Sequence, residues 1–158
     1  QVASPLITIW DDPLIPGGLG SRPFDDEGLP SQKNTIIEKG FLKAYLCDVY
    51  SARKLERKST ASATRGLSSP PSVGVSNLIL QPGTLNREEL LKQLGEGFYV
   101  TSMMGFGFNS VTGDFSRGAS GFWVSQGSKV HPVSEVTLGA NFKDLWQNRQ
   151  RIYFKRLP

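Results

Sequence analysis

Apolar positions along this chain come in short runs and alternations, so strands are expected to outnumber helices. Leu6-Ile7-Thr8-Ile9-Trp10 is an apolar, β-branched run that reads as a buried strand, halted by Asp11-Asp12-Pro13. Residues 34–47 alternate about Lys39-Gly40, with Thr35 to Glu38 on one side and Phe41 to Leu46 on the other. That pattern predicts a β-hairpin whose turn uses the glycine's positive φ. Asp48 is placed to cap a short helix through about Glu56, with Tyr50, Ala52 and Leu55 along it. Ser59 to Ser76 is rich in Ser, Thr, Ala, Gly and Pro, and is expected to be a mobile or substrate-facing loop. Asn77 to Leu80 predicts a short strand, closed by Pro82-Gly83. Asn86 with Glu89 has capping-box spacing ahead of an apolar stripe of Leu90, Leu91 and Leu94, and Gly95 and Gly97 end that helix.

The second half reads as sheet. Phe98 to Met104 forms one strand, and Gly121 to Val124 should pair with Lys129 to Val133 across a Gln126-Gly127-Ser128 turn. Glu135 to Leu138 extends the sheet, and a helix is expected from Ala140 to about Gln150. The fold class is α+β, mainly antiparallel β with two or three short helices. At 158 residues the chain is one domain's worth, able to bury about two-thirds of its unfolded surface. No apolar run approaches the roughly 20 residues that cross a bilayer, so no membrane partner is expected. Gln1-Val2-Ala3-Ser4 has neither the charged nor the apolar region of a signal peptide, and a cytoplasmic location is expected. The chain lacks an initiator methionine and is expected to begin inside a longer protein.

Charge adds little. The net charge is +4, with basic clusters at Arg53-Lys54, Arg57-Lys58 and Arg65, and again at Arg149, Arg151, Lys155 and Arg156. Without a nucleic-acid motif beside them these read as solvated faces, and nucleic acid is a disfavoured partner. One cysteine, Cys47, and one histidine, His131, cannot supply the four ligands of a structural zinc site. Cys47 sits in an apolar run and reads as a buried structural thiol. Asp25-Asp26-Glu27-Gly28 lacks the alternating ligands of a calcium loop. Its carboxylates are better suited to accepting backbone N–H groups in a crowded turn, with Arg22 close enough to pair with one. Gly105-Phe106-Gly107 lacks the third glycine of a dinucleotide fingerprint and reads as a close approach or a bulge between aromatic residues. Ser120, in Gly118-Ala119-Ser120-Gly121, misses the nucleophile-elbow spacing by one position. Phe98, Tyr99, Phe106, Phe108, Phe115, Phe122 and Trp123 are expected to be core.

Two dense segments carry a family resemblance. The first runs from Asp11-Asp12-Pro13 through Pro16-Gly17-Gly18-Leu19-Gly20-Ser21-Arg22-Pro23-Phe24-Asp25 to Pro30, and the second from Thr112-Gly113-Asp114-Phe115-Ser116 to Gly121. Together with Asn34 to Leu46, Tyr50 to Leu55, Ser76 to Gly83, Gly97 to Val100 and Gly107-Phe108-Asn109, in this order, they resemble the carboxy-terminal half of the TldD/PmbA family, also called modulators of DNA gyrase. The likeness covers Val2 to about Leu145. It implies an incomplete β-rich C-terminal domain over 1–145, followed by a divergent basic tail at 146–158.

The family has two branches. The TldD branch carries a zinc-binding His-Glu-x-x-x-His helix and a later cysteine; the PmbA (TldE) branch is its partner and lacks those ligands. The glycine-proline loop and the Thr112-to-Ala119 segment resemble the PmbA branch. Where the family usually shows Gly after Thr60, this chain has Ala61. The resemblance implies a non-catalytic subunit that binds a TldD-type protease and helps enclose unfolded or modified peptides, the partner binding the zinc. It implies no catalytic residue, metal ligand or cofactor in this chain. Arg22, Asp25, Asp26, Asp114, Ser116 and Arg117 are the candidate substrate-facing or structural positions. Two rival readings are a TldD-type zinc metallopeptidase whose ligands lie outside this chain, and a DNA- or gyrase-associated binding module.

Overall fold

Lys39 and Gly40 adopt φ values of 47° and 82°, the pair of left-handed residues that a tight two-residue hairpin requires. In the computed structural model, which describes residues 1–147, they join β2 (Asn34–Glu38) to β3 (Phe41–Leu42). The chain divides into two compact units, 1–81 and 82 onward.

The N-terminal unit is built on a four-stranded sheet ordered β3-β2-β1-β6, where β1 is Ile9–Asp11 and β6 is Leu78–Leu80. Its pairings are antiparallel, with Trp10 opposite Thr35 on one side and Ile79 on the other. The expected strand at 6–10 is therefore displaced. Ile7 is fully buried but its N–H bonds Ser4 O in a turn, and pairing begins at Ile9. The expected 41–46 arm pairs only through Leu42, after which Lys43 and Ala44 both bond Ile36 O and the chain leaves the sheet. Helix α1 (Val49–Lys54) starts as expected, with Asp48 and Ser51 forming a reciprocal capping box.

The Ser59–Ser76 stretch departs from expectation. It contains a small hairpin, β4 (Ala63–Thr64) with β5 (Ser72–Val73), and its first half is core: Ala61, Ser62 and Ala63 are buried. Small residues are needed there because Cys47, itself buried, lies against this segment, and its N–H bonds the Thr60 hydroxyl at 2.6 Å. The second half stays open: residues 65–70 between the two short strands are exposed, and so are Ser72, Val73 and Val75.

The C-terminal unit is a three-stranded antiparallel sheet, β7-β8-β9, with β7 at Gly97–Met104, β8 at Asp114–Ser125 and β9 at Ser128–Asn141. Gln126 and Gly127 make the second left-handed turn, φ 50° and 73°, and Ser125 pairs with Ser128. Residues 128–141 form one continuous strand, so Glu135 to Leu138 belongs to it rather than adding another. Helix α2 (Arg87–Leu94) carries the expected Asn86–Glu89 capping box, and its last turn sits beside the Gly127 tip. Helix α3 (Phe142–Gln147) begins two residues later than expected because Ala140 and Asn141 still pair with Phe115 and Asp114.

Among the described residues of this unit only Ala119, Gly121 and Val124 are buried, and the aromatic stripe is not uniformly core: Phe106 is 98% exposed and Phe108 half-exposed. No helix among the described residues is long and apolar enough to cross a membrane. The expected tail at 146–158 lies, past Gln147, outside the described residues.

Gly40 is constrained twice over: its φ is left-handed, and a Cβ there would stand 2.3 Å from the Ala3 carbonyl oxygen. Gly40→Ala should lower the unfolding free energy by about 1–3 kcal/mol. A urea titration checks this as a lower midpoint at unchanged slope; an unmoved midpoint would contradict it.

Candidate functional site

Three consecutive acidic residues in the N-terminal unit are occupied by backbone. Asp25 is 1% exposed, and its Oδ1 accepts the N–H groups of Glu27 (3.0 Å) and Leu29 (2.9 Å). Its Oδ2 accepts the N–H of Ala63 at 3.2 Å. Asp26 Oδ2 accepts the N–H of Arg65 at 2.8 Å and lies 3.8 Å from Arg22 Nη1. Glu27 Oε2 accepts the N–H of Val49 at 2.8 Å, at the start of α1. The turn thus ties three separated segments together through charge-assisted hydrogen bonds, each stronger than a neutral one. This is the role the sequence favoured, and it places Arg22, Asp25 and Asp26 in one structural cluster.

Asn77 is a hub that sequence reading missed. Its Oδ1 accepts the N–H of Gly20 at 2.9 Å, while Nδ2 donates to Asp12 O (2.8 Å) and Ser21 Oγ (2.9 Å). It pins the glycine-proline loop to the head of β6. Asn34 bridges Gln32 O and Thr60 O in the same way. Nothing local marks either residue beyond a polar amide at a strand's start.

In the C-terminal unit the strand pleat separates the other three candidates. Asp114 and Ser116 lie on one face of β8; Phe115 and Arg117 lie on the other. On the polar face Asn141 Nδ2 donates to Asp114 Oδ1 at 2.8 Å and to Thr112 O at 2.9 Å. Hydrogen bonding to the Asn141 amide first, and to the Thr112 side chain second, holds the Asp114 carboxyl below its ordinary pKa. Ser102 Oγ and Ser120 Oγ share a 2.6 Å hydrogen bond on this face. Ser116 contributes its backbone: its N–H donates to Gly107 O at 2.7 Å. That approach needs a glycine, since a Cβ at position 107 would fall 2.0 Å from Ser116 O. The expected close-packing role of this glycine is thus met.

The opposite face opens into an apolar pocket of about 640 Å³. Val100 and Met103 of β7, Phe115 and Arg117 of β8 and Leu138 of β9 form its floor. Phe108, from the loop folded back by Gly107, and Phe142, Leu145 and Trp146 of α3 form its wall. The Phe142 ring meets those of Phe108 and Phe115 at 4.9 and 5.4 Å between centroids. The volume is within the roughly 300–1,000 Å³ of small-molecule and cofactor sites. Arg117 Nε is buried and has no hydrogen-bond partner among the described residues.

The described residues do not fit a zinc site. No group of three or more His, Cys, Asp or Glu side chains converges among them. Cys47 is buried with Sγ 3.6 Å from Tyr45 O, and His131 sits exposed in β9, paired across from Trp123. The basic residues near α1 lie against exposed tyrosines, Lys54 over Tyr50 and Arg57 over Tyr45, each at 5.7 Å.

Known proteins resemble this chain throughout. The family described as "PmbA/TldA metallopeptidase C-terminal domain" matches residues 1–155. Metalloprotease PmbA of Escherichia coli O157:H7 is 42% identical over 94% of the chain, which spans 31% of that protein. A metalloprotease TldD homologue of Buchnera aphidicola is 34% identical over 87% of the chain and 29% of its own length. Among solved structures, TldE from Thermococcus kodakarensis superposes with a TM-score of 0.88 at 27% identity, covering 96% of this chain and 35% of that one. A Thermotoga maritima protein provisionally assigned as a modulator of a DNA gyrase gives 0.86 at 37%, covering 98% and 35%. The chain therefore spans about a third of the length of the relatives it matches.

Two outcomes are expected. Asp25→Asn turns an amide NH₂ toward one of three N–H donors and should cost about 1–3 kcal/mol by chemical denaturation; an unchanged midpoint would show that the turn is not a structural clamp. The Ser51 side-chain and backbone hydrogen bonds lower the Asp48 pKa. Its contribution to stability is therefore complete above the unfolded value of about 3.9 and lost as pH falls through the lowered folded value. Asp48→Asn, which keeps a capping side chain, should flatten the loss of stability below about pH 4; equally steep profiles would refute the assignment.

Proposed function

Because this chain belongs to the C-terminal domain family of the PmbA/TldD metallopeptidases, we propose that it is part of a PmbA/TldE-like subunit of a heterodimeric zinc protease. The observation that carries this reading is the ranking of relatives. PmbA proteins are 42, 40, 39 and 37% identical to the chain, while the TldD homologue of Buchnera aphidicola is 34% identical. The likeness to a solved TldE supports it.

In this reading the chain does no chemistry. The acidic turn and the Asn77 hub are framework, since their polar atoms are already engaged. Zinc and its ligands are supplied by a TldD-type subunit, in the cytoplasm, and the substrates are unfolded or modified peptides. The C-terminal unit would contribute a wall of the enclosure, its large apolar surface being suited to disordered chains that expose hydrophobic side chains.

The experiment uses the full-length protein that carries this chain, its TldD-type partner, and unfolded casein as substrate. Casein should be cleaved only when both proteins are mixed, and a zinc chelator should abolish cleavage. Chelator-sensitive cleavage by the full-length protein alone would overturn the subunit assignment and favour the catalytic branch.

A further inference from the structure

Among the described residues, Arg117 is the one charged side chain lining the apolar pocket. Its strand neighbours on that face are Phe115 and Ala119, and its cross-strand partner is Leu138. A half-buried guanidinium is normally matched by a carboxylate, because desolvating a cation without a counter-charge is costly. Here no salt bridge or hydrogen bond engages its side chain among the described residues, and Nε is buried and unsatisfied. The nearest acidic residue in sequence, Asp114, projects to the other face and is held by Asn141.

An occupant that satisfies this pocket must bring an apolar body and one anion. The guanidinium fork is shaped for a carboxylate, which it can engage through two parallel N–H bonds. We propose that the pocket receives the C-terminal residue of a peptide, its apolar side chain against Phe115, Leu138 and Phe142 and its free α-carboxylate on Arg117. The peptide as occupant rests on the proposed protease-subunit role; the carboxylate rests on the geometry. A peptide end anchored here would be selected by its terminus rather than by its internal sequence. Arg117 is then a specificity-determining residue.

The test measures anisotropy of a short fluorescein-labelled peptide ending Ala-Ala-Leu, as free acid and as C-terminal amide, against the full-length protein. The acid should bind at least about tenfold tighter than the amide. Arg117→Met removes the cation, and Leu138→Glu supplies an internal carboxylate beside it; each should bring the ratio to about one. Hydrogen exchange on the unaltered protein needs no variant. The acid, and not the amide, should protect the amides of Val100 to Met103 and of Phe115 to Arg117. Equal binding of acid and amide to the unaltered protein, exchange that ignores the acid, or a preference that survives in a folded variant would each overturn the proposal. Casein cleavage by the mixed subunits without any terminal preference would remove the pocket assignment alone. A terminal preference without cleavage would instead remove the protease-subunit reading.

Discussion

A buried backbone without regular pairing must still find a partner for each N–H and C=O, and this requirement governs the N-terminal unit. Its buried apolar residues are few and mostly small: Ala3, Ile7, Cys47, Ala52, Ala61 and Ala63. Its sheet strands are two to five residues long. Burial of that kind supplies little of the driving force of a large core. What joins the segments is a set of buried polar side chains, Asp11, Asp25, Asn34 and Asp48, each bonded to backbone. Asp25 is the centre of that set, since it closes its own turn and reaches the Ala63 strand at once.

The same economy sets where the carboxylates of the acidic run go. Asp25 accepts three backbone N–H groups, and Asp26 and Glu27 accept one each. Asp25 and Asp26 reach the stretch from Ala63 to Arg65, while Glu27 reaches the start of α1. Their density in sequence is a consequence of how many loops meet there.

The C-terminal unit is held by the opposite means, long strands whose ladder satisfies the backbone and leaves side chains free for surface. One face of β8 and β9 is polar and internally bonded, through Asp114–Asn141 and Ser102–Ser120. The other gathers aromatic and aliphatic residues around Arg117. The division follows from the two-residue period of a strand. It also means that Asp114-Phe115-Ser116-Arg117, a compact motif in sequence, is two separate surfaces in space.

Local chemistry was legible in the chain. Lys39-Gly40 and Gln126-Gly127 specified their hairpins because their backbone angles suit that turn. Asp48 and Asn86 specified helix starts because a cap acts within three residues, and the family motifs marked the resemblance that the comparisons bear out. The tertiary structure alone decided which long-range partners those residues met. Ser59 to Ala63 looked like an open loop because small polar residues suit loops, yet Asp25 and Cys47 bury them from 38 and 13 residues away. Asn77 reaches Gly20 across 57 residues, and no local pattern records such a bond. The pocket around Arg117 likewise exists only because Gly107 lets Phe108 fold back over β8 and α3 brings Phe142 beside it. Turns and caps are short-range agreements between neighbours; clamps and cavities are made by residues that only the folded chain brings together.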